Sequence, residues 1–152
     1  GLDAIFIANG KVESITEAAG LVSAITVGGS ALAPADFFKF EVPRQTSSIT
    51  ETATGDISQG TVVYLQTAIM VLNQLQASTR DQLKLMFEAT DMVVVALDNN
   101  GTYWSIGLER GAYGITATTT SGVAYADRSG YEITIEGQEA SPMFEITGSI
   151  VE

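Results

Sequence analysis

The sequence contains neither cysteine nor histidine. Together these absences remove disulfides, thiolate nucleophiles, zinc centres of the Cys/His kind, imidazole general bases and the Ser-His-Asp triad. Lack of cysteine fits a reducing compartment without requiring one, because exported proteins also do without it. Positive charge is scarce as well: seven Lys and Arg stand against eighteen Asp and Glu, a formal net charge of -11. The summed field of such a chain repels phosphate backbones and anionic membrane surfaces, which argues against ordinary nucleic-acid binding and against a membrane partner. Long apolar runs are also missing. The uncharged stretch from Leu21 to Ala35 is broken by Gly28, Gly29, Ser30 and Pro34, and Gly1-Leu2-Asp3 carries no basic region. Neither a signal peptide nor a membrane span is expected.

What remains is a globular composition. With 152 residues, 45% of them apolar and 16% charged, the chain has the length of one domain and enough aliphatic and aromatic side chains to bury a core. A single β-rich domain over 1–152 is the expectation.

The first third reads as short strands: Ala4 to Ala8, Lys11 to Thr16 and Leu21 to Val27, with Asn9-Gly10 suited to a hairpin turn between the first two. Phe38, Phe40 and Val42 alternate with Lys39 and Glu41, the period of a half-buried strand, and Pro43 ends it. A polar, β-branched stretch from Thr46 to Thr54 is followed by the glycine-bounded segment Gly55 to Gly60 and then by Thr61 to Leu75, rich in Val, Tyr, Ile and Leu. This predicts a long hairpin over about 46–75 with a wide tip. Its second arm can be fitted to a helical stripe through Val63, Ile69, Met70 and Leu72, but Val62, Val63, Tyr64 and Thr67 are strand formers and Gln66 and Asn73 interrupt the stripe. Strand is the better reading.

Ser78 or Thr79 followed by Asp81 and Gln82 gives a helix N-cap, and Leu83, Leu85, Met86 and Phe87 supply an apolar face. One helix is therefore predicted over about 78–89. Met92 to Leu97 is an almost purely apolar strand, Asp98-Asn99-Asn100-Gly101 a strong turn and Thr102 to Leu108 the returning strand. A Thr-rich strand from Ile115 to Thr120, an alternating one through Tyr131, Ile133 and Ile135, and a last one through Phe144, Ile146 and Ile150 complete the pattern. The fold class expected is mainly β (α+β): an antiparallel β-sandwich or partly closed barrel with one flanking α-helix and a long β-hairpin.

Residues that could carry chemistry have plainer readings. Asp98, Asn100, Thr102 and Glu109 fall at the first, third, fifth and twelfth positions of a calcium loop, but the glycine is misplaced and large apolar residues follow, so a hairpin turn is the better reading. Asp127, Glu132, Glu136, Glu139 and Glu145 could pair for glycoside hydrolysis, yet alternating acids on a strand usually form its solvated face. Gly55 to Gly60 lacks the spacing and the lysine of a phosphate-binding loop. Trp104, Tyr103, Tyr113, Tyr125 and Tyr131 could make a stacking platform, though strand aromatics more often pack in a core. No catalytic residue, cofactor or metal site is predicted, and the chain is read as no enzyme.

Between Gly60 and Phe144 the order of motifs resembles a group of small virion proteins of tailed phages, especially those of Bacteroidetes and related hosts. The resemblance runs through Gly60-Thr61, Gln66-Thr67, Leu72, Leu75, Ser78-Thr79-Arg80 with Leu83, and the turn Asp98-Asn99-Asn100-Gly101-Thr102-Tyr103-Trp104. It continues with Gly107, Glu109, Gly111, Asp127-Arg128-Ser129-Gly130-Tyr131 and the strand leading to Pro142, whereas the first forty residues carry no part of it. It implies a structural subunit without cofactors, of the tail-tube type: a homo-oligomer in stacked, hexameric rings that conduct DNA without binding it specifically, in contact with other virion proteins. Such a protein is made in the host cytoplasm and located in the virion tail. Related expectations are a tail terminator, connector or capsid decoration protein; a secreted carbohydrate-binding β-sandwich is the alternative from another class. The predicted assembly hairpin comprises Thr46, Ile49, Thr54, Gly55, Gly60, Val63, Leu65, Thr67 and Ile69.

Overall fold

Residues 1–41, 47–56, 58, 60–73, 81, 84, 88, 91–120 and 130–152 are described by the computed structural model. Twelve strands account for most of them: β1 (Leu2–Asn9), β2 (Val12–Ala18), β3 (Leu21–Val27), β4 (Ser30–Ala31), β5 (Phe38–Glu41), β6 (Ser48–Asp56), β7 (Thr61–Asn73), β8 (Met92–Asp98), β9 (Tyr103–Ile106), β10 (Tyr113–Thr120), β11 (Gly130–Glu139) and β12 (Glu145–Ile146). Single 3-10 turns lie at Pro34–Asp36 and Gly148–Ile150. The larger sheet has the order β2-β3-β12-β9-β8-β1-β5, with β4 added to β3; the smaller is β10-β11-β7-β6. The fold is mainly β with two sheets. Pairing is antiparallel throughout except where β12 lies parallel to β3.

The apolar run of β8 follows from its position. Met92 and Val94 face the core between the two sheets, where they meet Ile5 and Ile7 of β1 and Met70, Ile133 and Ile135 of the smaller sheet. Val93 and Val95 face the opposite side, against Phe6, Val22, Ile25 and Ile146. A strand buried on both faces has no use for polar residues on either one. All strands bordering the second cluster belong to the larger sheet, so that sheet curls around it; the Phe6 and Tyr103 rings approach to 6.0 Å across it. The C-terminus closes this side. Glu152 accepts a hydrogen bond from Lys39 Nζ at 2.7 Å and another from the Tyr103 hydroxyl. Those contacts push the Tyr103 hydroxyl up to about 12, the bond to Glu152 being the main cause and burial the next.

Several expectations need correction. Asn9-Gly10 closes no hairpin, because both sides of β1 are occupied, by β5 and by β8. The tight turn in this region is Ala19-Gly20, which joins the paired residues Ala18 and Leu21 with φ of 55° and 87°. Phe38 does not share the burial of Phe40: it is 53% exposed, at the far end of a four-residue edge strand. The last strand is only Glu145–Ile146, and Ile150 belongs to the closing turn. Asp81, Lys84 and Glu88 have helical backbone, as expected, with Lys84 and Glu88 4.0 Å apart on the exposed side; the other residues of the predicted helix lie outside the described residues.

The turn after β8 is as predicted. Asp98 Oδ1 accepts from the backbone N–H groups of Asn100 and Thr102, and Oδ2 accepts from Trp104 Nε1 at 2.9 Å. Burial pushes this carboxyl up, but the three donors outweigh it and leave the group below its ordinary value. Trp104 itself is half-buried rather than a core residue, since its indole N–H must reach the turn at the end of the sandwich.

Candidate functional site

The predicted hairpin is β6 and β7, paired from Ser48↔Ile69 to Asp56↔Thr61. Its tip is narrower than expected, because Gly55 and Asp56 are themselves paired. Nor does the hairpin stand alone: β7 is held on its other side by β11 from Asn73 to Tyr64. Only the pairs Thr54↔Val63, Gly55↔Val62 and Asp56↔Thr61 lie beyond the end of β11. At a rise of about 3.3 Å per residue, the paired part of the hairpin projects by roughly 10 Å. Val62 on one face of this projection is 50% exposed, and Val63 on the other is exposed as well.

Strand parity divides the predicted assembly residues. Thr54, Val63, Leu65, Thr67 and Ile69 share the outer face of the smaller sheet, whereas Ile49 points inward and packs against the core between the sheets. Gly55 and Gly60 are exposed at the projecting end, and Thr46 lies outside the described residues. Across the outer face the register aligns Ser48, Ile69, Thr134 and Thr116 in one row and Thr50, Thr67, Glu136 and Tyr113 in the next. The face is one of hydroxyls and short aliphatics with carboxylates on β11. Tyr113 donates to Glu136 Oε1 at 3.0 Å; burial first, and that carboxylate second, hold its hydroxyl above the ordinary tyrosine value.

The inner face carries a polar seam that the sequence reading missed. Gln66 is 1% exposed. Its Oε1 accepts from Gly107 N at 2.9 Å, while Nε2 donates to Glu51 Oε2 at 3.1 Å and to the Ser141 carbonyl at 3.3 Å. Glu51 Oε2 also accepts from Met143 N at 2.7 Å. Glu139, expected on a solvated face, is 4% exposed, because it shares parity with Tyr131, Ile133 and Ile135. Its Oε1 accepts from the N–H groups of Glu109 and Arg110, and Oε2 has no hydrogen-bond partner. Burial pushes this carboxyl up against the opposing pull of those two bonds. The seam exists because the sheets nearly touch here: a Cβ on Gly137 would sit 2.5 Å from the Cα of Gly107. The sequence signal was present, since Gln66 is the one fully polar residue in the inward series Tyr64, Gln66, Ala68, Met70, Leu72.

The edges of the two sheets differ in kind. Exposed edge strands invite pairing with other chains and are ordinarily blunted by brevity, charge, proline or bulges. The larger sheet follows that rule. Its edge strand β2 has two register shifts, and Glu13 and Glu17 turn their carboxylates onto Gly29 N and Gly20 N; the other edge, β5, is four residues long and carries Lys39 and Glu41. The smaller sheet does not follow it. β6 runs for nine residues without lysine or proline, its two acids being Glu51, which is drawn inward, and Asp56 at the hairpin end, and β10 runs for eight with no charge at all and a single register shift after Gly114. Among the described residues no strand pairs with the outer side of either one.

The remaining candidates do not converge. Tyr113 lies on the smaller sheet and Trp104 on the larger, Tyr131 is buried, and Tyr125 is outside the described residues. Glu132 and Glu136 face outward while Glu139 faces inward, and Asp127 is outside the described residues. Among the described residues no three acidic side chains are grouped to hold a metal ion, and no helix is long and apolar enough to cross a membrane. No family model matches the sequence, and comparison with curated proteins and with solved structures gave no match.

Proposed function

We propose that this chain is a structural subunit that assembles with copies of itself by joining the open edges of its smaller sheet. The observation that carries the reading is the contrast between guarded and unguarded edges. β2 and β5 are defended, while β6 and β10 present long ladders of backbone N–H and C=O groups with β-branched neighbours. A β6 edge of one copy and a β10 edge of the next form a heterologous contact, which closes into a ring when the rotation allows. Stacked rings of this kind are what the resemblance to tail-tube subunits of tailed phages implies. In that arrangement the projecting end of the hairpin reaches a neighbouring copy, where Val62 and Val63 are covered. An outer sheet face without lysine or arginine lines a channel through which DNA slides without sticking. The role is structural, with no catalysis, in the virion and beside other virion proteins.

Proline scanning of β6 tests this directly. Successive residues of an edge strand point their N–H groups alternately to the neighbouring strand and outward. Of the variants Thr52→Pro and Ala53→Pro, one removes an N–H bonded to β7 and the other an N–H free to pair with another copy. The expected result is that one variant is destabilised, while the other keeps its thermal stability and loses the rings or tubes seen by negative-stain microscopy. Assembly unimpaired in both, or a wild-type chain that stays single at high concentration, would overturn the proposal.

A further inference from the structure

The strands that would join copies are electrostatically one-sided. None of the seven Lys and Arg falls in β6, β7, β10 or β11, whereas Glu51, Asp56, Glu132, Glu136 and Glu139 do. Glu132 and Glu136 stand on the outer face, Glu136 in the same cross-strand row as Tyr113 of β10 and Thr50 of β6. The edge strands themselves offer threonine hydroxyls and backbone groups and contain no lysine or arginine to meet a neighbour's carboxylate. Each approaching copy also brings a formal charge of -11.

We infer that pairing of the smaller sheet's edges is restrained by like-charge repulsion and is released by salt, so that ionic strength sets whether the chain is single or assembled. The inference rests on the edge-pairing reading above. Interfaces built on charge complementarity weaken as salt rises. Here the attractive part is strand hydrogen bonding and contact among threonine, valine and isoleucine side chains, which salt does not screen. The repulsive part is what salt removes. The screening length falls from about 30 Å at 0.01 M to about 8 Å at 0.15 M and about 3 Å at 1 M, from the width of a small domain to less than one strand spacing. Association should therefore strengthen with salt, the opposite of the usual sign.

Sedimentation velocity of the full chain, at one protein concentration and from about 0.01 M to about 0.5 M NaCl, reads the effect across this range of screening lengths. The apparent dissociation constant should fall by at least about tenfold, a change of about 1.4 kcal/mol. The variant Glu136→Gln, which keeps an oxygen to accept from Tyr113, should reach the same degree of assembly at lower salt. Circular dichroism at each salt concentration separates association from folding. Association that weakens with salt or ignores it would overturn the inference and leave edge pairing standing, as would stimulation by MgCl2 far beyond that of NaCl at equal ionic strength. A chain that stays single at every salt concentration overturns edge pairing, and this inference with it.

Discussion

Ala19 is the non-glycine residue with positive φ among the described residues, and its replacement gives a sharp test of the fold. Ala19 and Gly20 form the two-residue connection between β2 and β3, with φ of 55° and 87°, the pattern of a type I′ turn whose twist matches the flanking strands. An alanine there places its Cβ against the following carbonyl oxygen, at a cost of roughly 1–2 kcal/mol relative to a residue at ease in that region. Asparagine adopts this conformation readily, and Ala19 is exposed, so Ala19→Asn removes strain without disturbing packing. The expected gain is about 1 kcal/mol, which for a chain of this length raises the melting temperature by about 2–4 °C. Ala19→Gly should gain less, because the more flexible unfolded chain offsets about 0.4–1 kcal/mol of the relief. Thermal unfolding followed by circular dichroism at constant salt measures both. If Asn lowers the melting temperature, or Gly raises it more than Asn, the reasoning about this turn is wrong.

Gln66→Leu should cost roughly 2–4 kcal/mol in urea unfolding, because it leaves the buried Gly107 N–H without an acceptor and takes a donor from Glu51. Gly137→Ala should be at least as harmful, since the added methyl meets backbone on the facing sheet and no side chain can yield; a neutral outcome would refute the close approach of Gly137 to Gly107. For Glu139 the folded-state pKa is raised, so its favourable contribution is complete below the unfolded value near 4.5 and is lost as pH rises through the folded value. Glu139→Gln abolishes that loss while keeping an oxygen for the Glu109 and Arg110 N–H groups. The variant should therefore gain stability over the parent as pH is raised from about 4 to about 8, and parallel pH profiles would refute the assignment. Asp98 has the opposite sign: its lowered pKa gives stability that is present above the unfolded value and lost as pH falls through the folded one. Asp98→Asn keeps an acceptor for Asn100 and Thr102 but cannot accept from Trp104 if that oxygen is so used, and should cost about 1–2 kcal/mol at neutral pH, readable by Trp104 fluorescence during unfolding.

The local pattern of the sequence determined what local physics controls. Alternation along Tyr131, Ile133 and Ile135 marks a strand with one buried face, the pure apolar run of Met92 to Leu97 marks a strand buried on both, and Asp98 to Gly101 dictates a turn whatever surrounds it. The β-branched run from Thr61 onward prevailed over its helical stripe because the sheet supplied neighbours on both sides. Tertiary structure decided which strands are neighbours. Nothing local told Asn9-Gly10 that the sides of β1 were to be filled by β5 and β8, and nothing local told Glu139 that its side of β11 faces the other sheet. The same holds for the open edges: β6 and β10 read as ordinary strands in one dimension, and only the strand order makes them the margins of a sheet. Hydrophobic period and turn chemistry act over a few residues, whereas strand order is set by long-range packing of the two cores, and it is the strand order that puts β6 and β10, among the described residues, at the margins of the smaller sheet.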